Sequence, residues 1–167
     1  KCLALEEASV LFNIGSMLTA LASDQGRNDE EGLKISFNYF KQASAIFTCL
    51  QGSLSAQLLK PISPDLTVEG LSLCHCTCHA QAQECFYERA VMINTTPKLL
   101  FKLAAGCAFL YKKMASLTKS PVITKKLHGT WPSFASLQMH YYEAEANFRM
   151  AQALHAVPDE HAEEDPM

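Results

Sequence analysis

The sequence predicts an all-α protein, an antiparallel array of long helices arranged as an irregular solenoid or bundle. Apolar residues recur at helical spacing almost from end to end, and no convincing run alternates with period two. Five long helical segments are separated by short breaks carrying proline, glycine or asparagine. Glycine and proline number only 7 each, too few for a linker or a low-complexity chain. Small residues such as Ala144, Ala151 and the run Ala43-Ser44-Ala45 suit closely packed helical hairpins. No fixed period of about 34 residues is present, so a regular tetratricopeptide array is not expected.

The first helix is expected over residues 3–23, with Val10, Ile14, Met17 and Leu21 on one stripe. Asp24-Gln-Gly26 closes it, the glycine suiting a left-handed cap. Asn28 or Asp29 caps the second helix, whose first-turn acids complement the helix dipole. That helix carries Leu33, Phe37, Phe40, Ser44 and Phe47 and is expected to end near residue 50. The two prolines of Lys60-Pro-Ile-Ser-Pro-Asp65 break the chain, because each disfavours helix in the residue before it. Ser63-Pro64-Asp65 then starts the third helix, which runs to about residue 91. Asn94-Thr-Thr-Pro97 ends it, as a turn whose threonines can cap; the fourth helix spans about 98–117. A short basic segment, 118–128, and a turn at Gly129-Thr-Trp-Pro132 lead to a last helix over about 134–156. The partition expected is one partial domain over 1–156 and an acidic, disordered segment over 157–167.

Composition narrows the function. With 167 residues, 49% of them hydrophobic, the chain can bury one sizeable core. Its formal charge of −3 is unevenly spread: the stretch from 90 to 142 holds seven lysines and no acid, whereas acids crowd the C-terminus. A nucleic-acid binder is usually basic overall with arginines on one face, so that role is not expected. No signal peptide opens the sequence, since Lys1-Cys2-Leu3 is followed at once by Glu6-Glu7. The most apolar stretch, 8–22, contains Asn13, Ser16 and Thr19 and is shorter than the ~20 apolar residues of a membrane span. A soluble, intracellular protein is expected. The start at Lys1 inside helix-like sequence suggests a fragment of a longer domain.

Seven cysteines in apolar helical contexts read as reduced thiols packed as small hydrophobes. The run Cys74-His75-Cys76-Thr77-Cys78-His79 has the composition of a zinc site but not its spacing. On a helix Cys74 and Cys78 share one face, His75 and His79 another, and Cys76 points away. The expectation is core cysteines and partly exposed histidines, with no metal and no cofactor. A nucleophile elbow, a zinc-protease motif and a phosphate-binding glycine loop are all missing, so no enzyme is expected. Asn94-Thr95-Thr96 matches a glycosylation sequon and reads as a turn.

The fourth helix is more informative. Leu99, Leu103, Gly106 and Leu110 lie on one side, and Leu100, Ala104, Cys107 and Tyr111 on an adjacent one. A helix apolar nearly all round buries more than one face. Either it is an inner helix of a layered array, or one face enters the core and the other lines a hydrophobic groove edged by lysines. Such a groove accepts an amphipathic helix.

Several strings together resemble the Bro (Bro-one) domain family. They are Leu5-Glu-Glu-Ala-Ser-Val-Leu-Phe-Asn-Ile-Gly15, Glu31-Gly-Leu-Lys-Ile-Ser36, Phe40-Lys-Gln-Ala-Ser44, Ser63-Pro-Asp65 and Ala80-Gln-Ala-Gln-Glu-Cys-Phe86. The segment from Trp131 to Tyr142 is most similar to the His-domain phosphatase branch. The resemblance covers the chain to about residue 153, the middle of a longer domain. It departs at Cys76, Thr77, Cys78 and His79, where relatives carry aliphatic residues.

The resemblance implies a curved, boomerang-shaped antiparallel helical solenoid with a tetratricopeptide-like core. It implies a non-catalytic scaffold that binds the C-terminal amphipathic helix of an ESCRT-III subunit, a charged multivesicular body protein, during endosomal sorting. Carried over position by position, the family's peptide-binding residues fall on Phe86, Leu99 and Leu103. The protein is then expected in the cytoplasm, recruited to endosomes. The alternative is a peripheral membrane or small-GTPase-linked scaffold of rhophilin type. In the membrane version Lys112, Lys113, Lys119, Lys125 and Lys126 touch anionic lipid, at ~1 kcal/mol for each lysine near the surface.

Overall fold

The computed structural model describes residues 3–57, 63–125 and 129–155, with side chains described to residue 52 in the first stretch. Among the described residues six α-helices appear in the order α1 (Leu3–Asp24), α2 (Glu30–Gln57), α3 (Val68–Met92), α4 (Pro97–Leu117), α5 (Pro121–Thr124) and α6 (Thr130–His155). There is no strand among the described residues. The segment 157–167, expected to be a separate acidic tail, lies outside the described residues, as does Ala156.

Consecutive long helices pack antiparallel, and small residues set how closely. Helix α1 turns Ala8, Gly15 and Ala22, spaced at heptad intervals, towards α2. A methyl group on Gly15 would stand 2.9 Å from the ring of Phe47, so the glycine is the notch that seats this ring. At the other end the buried Ser36 donates to the Ala22 carbonyl at 3.0 Å. The stripe Val10, Ile14, Met17 and Leu21 faces outward instead, each more than 40% exposed. Close approach through small residues, rather than through the largest apolar ones, decides which face of α1 meets α2.

The connections differ in detail from the sequence expectation. Gly26 is not left-handed, since no glycine has positive φ. The tight residue there is Gly32, where a methyl would lie 1.9 Å from the Gly26 carbonyl oxygen. Asp29 caps α2 by accepting from the Gly32 N–H at 2.7 Å. The helix passes the expected end near residue 50 and continues to Gln57. Pro64 starts a single 3-10 turn (Pro64–Leu66) rather than α3 itself. Thr67 then caps α3, its hydroxyl accepting from the Gly70 N–H at 3.0 Å and donating to the Pro64 carbonyl at 2.6 Å.

Asn94 ends α3 with φ 53. The Thr95 N–H bonds the Ala90 carbonyl and the Asn94 N–H that of Val91, which is the Schellman arrangement with asparagine in the left-handed position. Thr96 occupies the N-cap of α4, but its hydroxyl makes no capping bond. The basic segment contains the short α5, and residues 130–132 form the first turn of α6 instead of a turn before it. Proline is tolerated there because a first-turn N–H has no intrahelical partner.

Helix α3 is central: its residues enter all three clusters of the core. Its Tyr87 meets α6 edge-on at Tyr142 (5.6 Å between ring centroids), and Tyr142 stacks on Tyr111 of α4 at 5.9 Å. Polar groups inside are partnered. Tyr111 donates to Glu84, Tyr87 to Glu145, and Arg149 holds Glu145 at 2.8 Å. Arg27, from the α1–α2 connection, lies 3.4 Å from Glu88 and 3.7 Å from Glu84. Burial pushes the Glu88 carboxyl up despite that guanidinium.

A candidate peptide-binding groove on helices α2, α3 and α4

On one face of α3 the side chains of His75, His79, Ala82, Gln83 and Phe86 follow one another at helical spacing. Opposite them α2 presents Phe37, Lys41, Ser44, Ala45 and Thr48. The two sets line a groove of about 580 Å³. Its apolar end is the Phe37–Phe86 pair, with ring centroids 6.0 Å apart. Phe86 is 43% exposed although apolar, and the Lys41 ammonium stands 5.9 Å from the Phe37 ring.

Helix α4 borders the same face. The Gln83 amide lies 3.5 Å from the Leu103 carbonyl oxygen, and a methyl on Gly106 would come within 3.2 Å of it. The sequence division of α4 holds. Leu100, Ala104, Cys107 and Tyr111 are buried, whereas Leu103, Gly106 and Leu110 are half-buried and Leu99 is exposed. Leu103 also packs on the core. With α3 and α4 antiparallel and Gln83 beside Leu103, Phe86 runs alongside the turn that carries Leu99. Of the three residues expected from sequence, Phe86 lines the groove, whereas Leu99 and Leu103 lie on the bordering helix outside its lining, Leu103 packed on the core.

The other groove residues escaped the sequence reading. The sequence assigns Phe37 only to the second helix, and it gives His75 and His79 as partly exposed histidines without linking them to a groove. Extending the stripe of Phe86 backwards through 83, 79 and 75 would have found them. The six-residue cysteine–histidine run is split by its helix. Cys76 and Cys78 are buried, with Cys78 Sγ 3.3 Å from the Thr19 hydroxyl and Cys76 Sγ 3.5 Å from the Leu110 carbonyl oxygen. Burial pushes the Cys74 thiol up to about 12, and it raises Cys76 and Cys78 as well. Such thiols are poor nucleophiles. Among the described residues no three of His, Cys, Asp and Glu cluster with metal-binding geometry.

His75 is tied to α2: its Nδ1 lies 2.9 Å from the hydroxyls of both Ser44 and Thr48. Its ring meets His79 edge-on, 5.7 Å between centroids. His79 is held below the usual imidazole range by burial, by His75 and by Lys113. Of the expected lipid-contacting lysines, Lys112, Lys113, Lys119 and Lys125 are exposed; Lys126 lies outside the described residues. Among the described residues no helix is long and apolar enough to cross a membrane.

These features define an antiparallel helical solenoid with a partly apolar groove between α2 and α3, bordered by α4. The chain belongs to the BRO1-like domain family, whose model matches residues 1–164. It is 34% identical over 152 residues to ALG-2 interacting protein X of Dictyostelium discoideum, covering 91% of this chain and 19% of that protein. It is 32% identical to the pH-response regulator protein RIM20 of Yarrowia lipolytica, over 89% of this chain and 19% of the relative. The vacuolar protein-sorting protein BRO1 of Gibberella zeae is 29% identical over 90% of this chain and 15% of its own length. The chain thus spans less than a fifth of the length of these relatives. The solved structure of an ALIX BRO1 CHMP4C complex shares the fold, with a TM-score of 0.83 and 21% identity over 89% of this chain and 41% of that one. A crystal structure of ALIX with a SIVmac239 late-domain peptide gives the same TM-score, covering 89% of this chain and 21% of that chain.

Proposed function

We propose that the chain is a non-catalytic scaffold whose groove captures the C-terminal amphipathic helix of an ESCRT-III subunit during endosomal sorting. The observation that carries this is Phe86, an aromatic ring left 43% exposed beside Phe37 in a groove between α2 and α3. An uncovered apolar side chain in such a groove is the kind of surface an amphipathic helix covers. The vacuolar protein-sorting name of one relative and the CHMP4C complex of a protein with this fold support the same reading. In this account Phe86, Leu99 and Leu103 anchor the helix, and the protein works in the cytoplasm, recruited to endosomes. The exposed lysines add at most a salt-sensitive contact with anionic lipid.

The test is calorimetric titration with an ESCRT-III tail peptide, using Phe86→Asp. A carboxylate at that position must be desolvated against apolar partners, which costs several kcal/mol. A micromolar complex is held by about 8 kcal/mol, so heat of binding should vanish while the circular dichroism spectrum stays unchanged. Undiminished binding by a folded Phe86→Asp protein would remove the proposal.

A further inference from the structure

The groove has a second end that apolar capture does not use. Two helical turns before Phe86, about 10 Å along α3, it is lined by His79, with His75 a further turn back. Lys113 of α4 is close enough to depress the proton affinity of His79, whereas the Lys41 ammonium of α2 stands over Phe37 at the apolar end. No carboxylate lines the groove. Of the acids on the neighbouring elements, Glu84 and Glu88 of α3 are engaged with Arg27, Glu30 of α2 with Arg89, and Glu31 with Lys34, while Glu69 sits in the first turn of α3, six residues before His75. Asp65, in the turn before α3, stands by Cys74, and α4 and α5 carry no acid.

The two imidazoles are not equivalent. His75 Nδ1 has the Ser44 and Thr48 hydroxyls each at 2.9 Å and the Ser44 carbonyl at 3.3 Å, so His75 is fixed to α2. His79 is exposed and rests edge-on against this ring. It is the imidazole free to meet a partner.

We propose that His79, held edge-on against His75 with Lys113 of α4 nearby, is a proton-gated subsite for a carboxylate on the docked helix. The proposal rests on the helix-capture reading of the groove and deepens it. The partner it fits is an acidic amphipathic helix bearing a glutamate or aspartate two turns from the aliphatic residue seated at Phe86. In the free protein the neighbouring lysine and histidine and partial burial disfavour imidazolium. A carboxylate brought against it favours imidazolium, so docking takes up a proton. The sign follows. The imidazole is more basic in the complex than in the free protein. The extra affinity is fully present below the free protein's value and is lost as pH rises through the value in the complex.

The experiment titrates the chain with a synthetic helical peptide carrying two leucines four residues apart and a glutamate two turns away on either side. A glutamine peptide of the same sequence is the control, at pH 7.5 and 5.5. A rise of about one pKa unit on docking makes the glutamate peptide bind up to about tenfold more tightly at the lower pH, with the glutamine peptide unchanged. His79→Gln should abolish the difference in pH response between the glutamate and glutamine peptides. Binding of both peptides with no glutamate-specific gain in acid, or a gain that survives His79→Gln, overturns the subsite and leaves the groove reading intact. Failure of both peptides to bind at either pH overturns the groove reading and the subsite with it.

Discussion

Asn94 shows how a single residue sets the junction on which the groove depends. Its left-handed backbone closes α3 and turns the chain into α4, so it fixes how Phe86 and Leu99 stand to one another. Asparagine tolerates that conformation better than any residue with an apolar Cβ, and glycine better still. Asn94→Ala should lower the stability to urea by about 1 kcal/mol, with Asn94→Gly equal to or above the parent. Equal urea midpoints for Asn94→Ala and the parent would show that the junction does not depend on this backbone state. The turn itself was legible, because Asn-Thr-Thr-Pro is a strong break. The role of Thr96 was not, because a threonine at an N-cap position need not use its hydroxyl. At Gly26 the sequence suggested a left-handed cap, yet the constraint sits at Gly32. Only the path of the preceding loop, with the Gly26 carbonyl pressed against it, reveals which glycine is needed.

Among the elements, α3 and α4 were read from opposite kinds of signal. Helix α4 divides into a core face and a groove face because its apolar residues are distributed all round, and that pattern is visible in the sequence. Helix α3 is the middle layer of the solenoid, so cysteines, alanines and Tyr87 on several sides are buried and no single stripe marks its inner face. Its start was misjudged for a local reason: Pro64 is compatible with the first turn of any helix, and here that helix is a separate 3-10 turn. The true cap is Thr67. Thr67→Ala removes the acceptor for the Gly70 N–H and should cost about 1 kcal/mol in a thermal or chemical melt. An unchanged melting midpoint would mean that water replaces the cap without loss. Helix α1 was misleading in a different way. Its outward stripe of Val10, Ile14, Met17 and Leu21 is more apolar than the face it buries, because Ala8, Gly15 and Ala22 win by proximity.

At the scale of the whole molecule, fold class and family followed from periodicity and from short strings spread over most of the chain. The groove was only partly legible: Phe86 came from resemblance, whereas Phe37, Lys41, His75 and His79 needed the packing of α2 on α3, and Leu99 and Leu103 stay proposed anchors on the bordering α4. The account's central claim is that this face captures a helix through apolar contact rather than by charge. Leu99 offers the most direct test, being 45% exposed, so that a charge there leaves the core untouched. Leu103 is half-buried against the core, so Leu103→Asp is expected to lose stability along with any binding. The deciding measurement is calorimetric titration of an ESCRT-III tail peptide into Leu99→Asp, beside its circular dichroism melt and a repeat at high salt. The account predicts a parent-like melt, loss of detectable binding, and parent affinity that changes little with salt. A folded Leu99→Asp protein that binds as the parent does, or parent binding that disappears in salt, would contradict it.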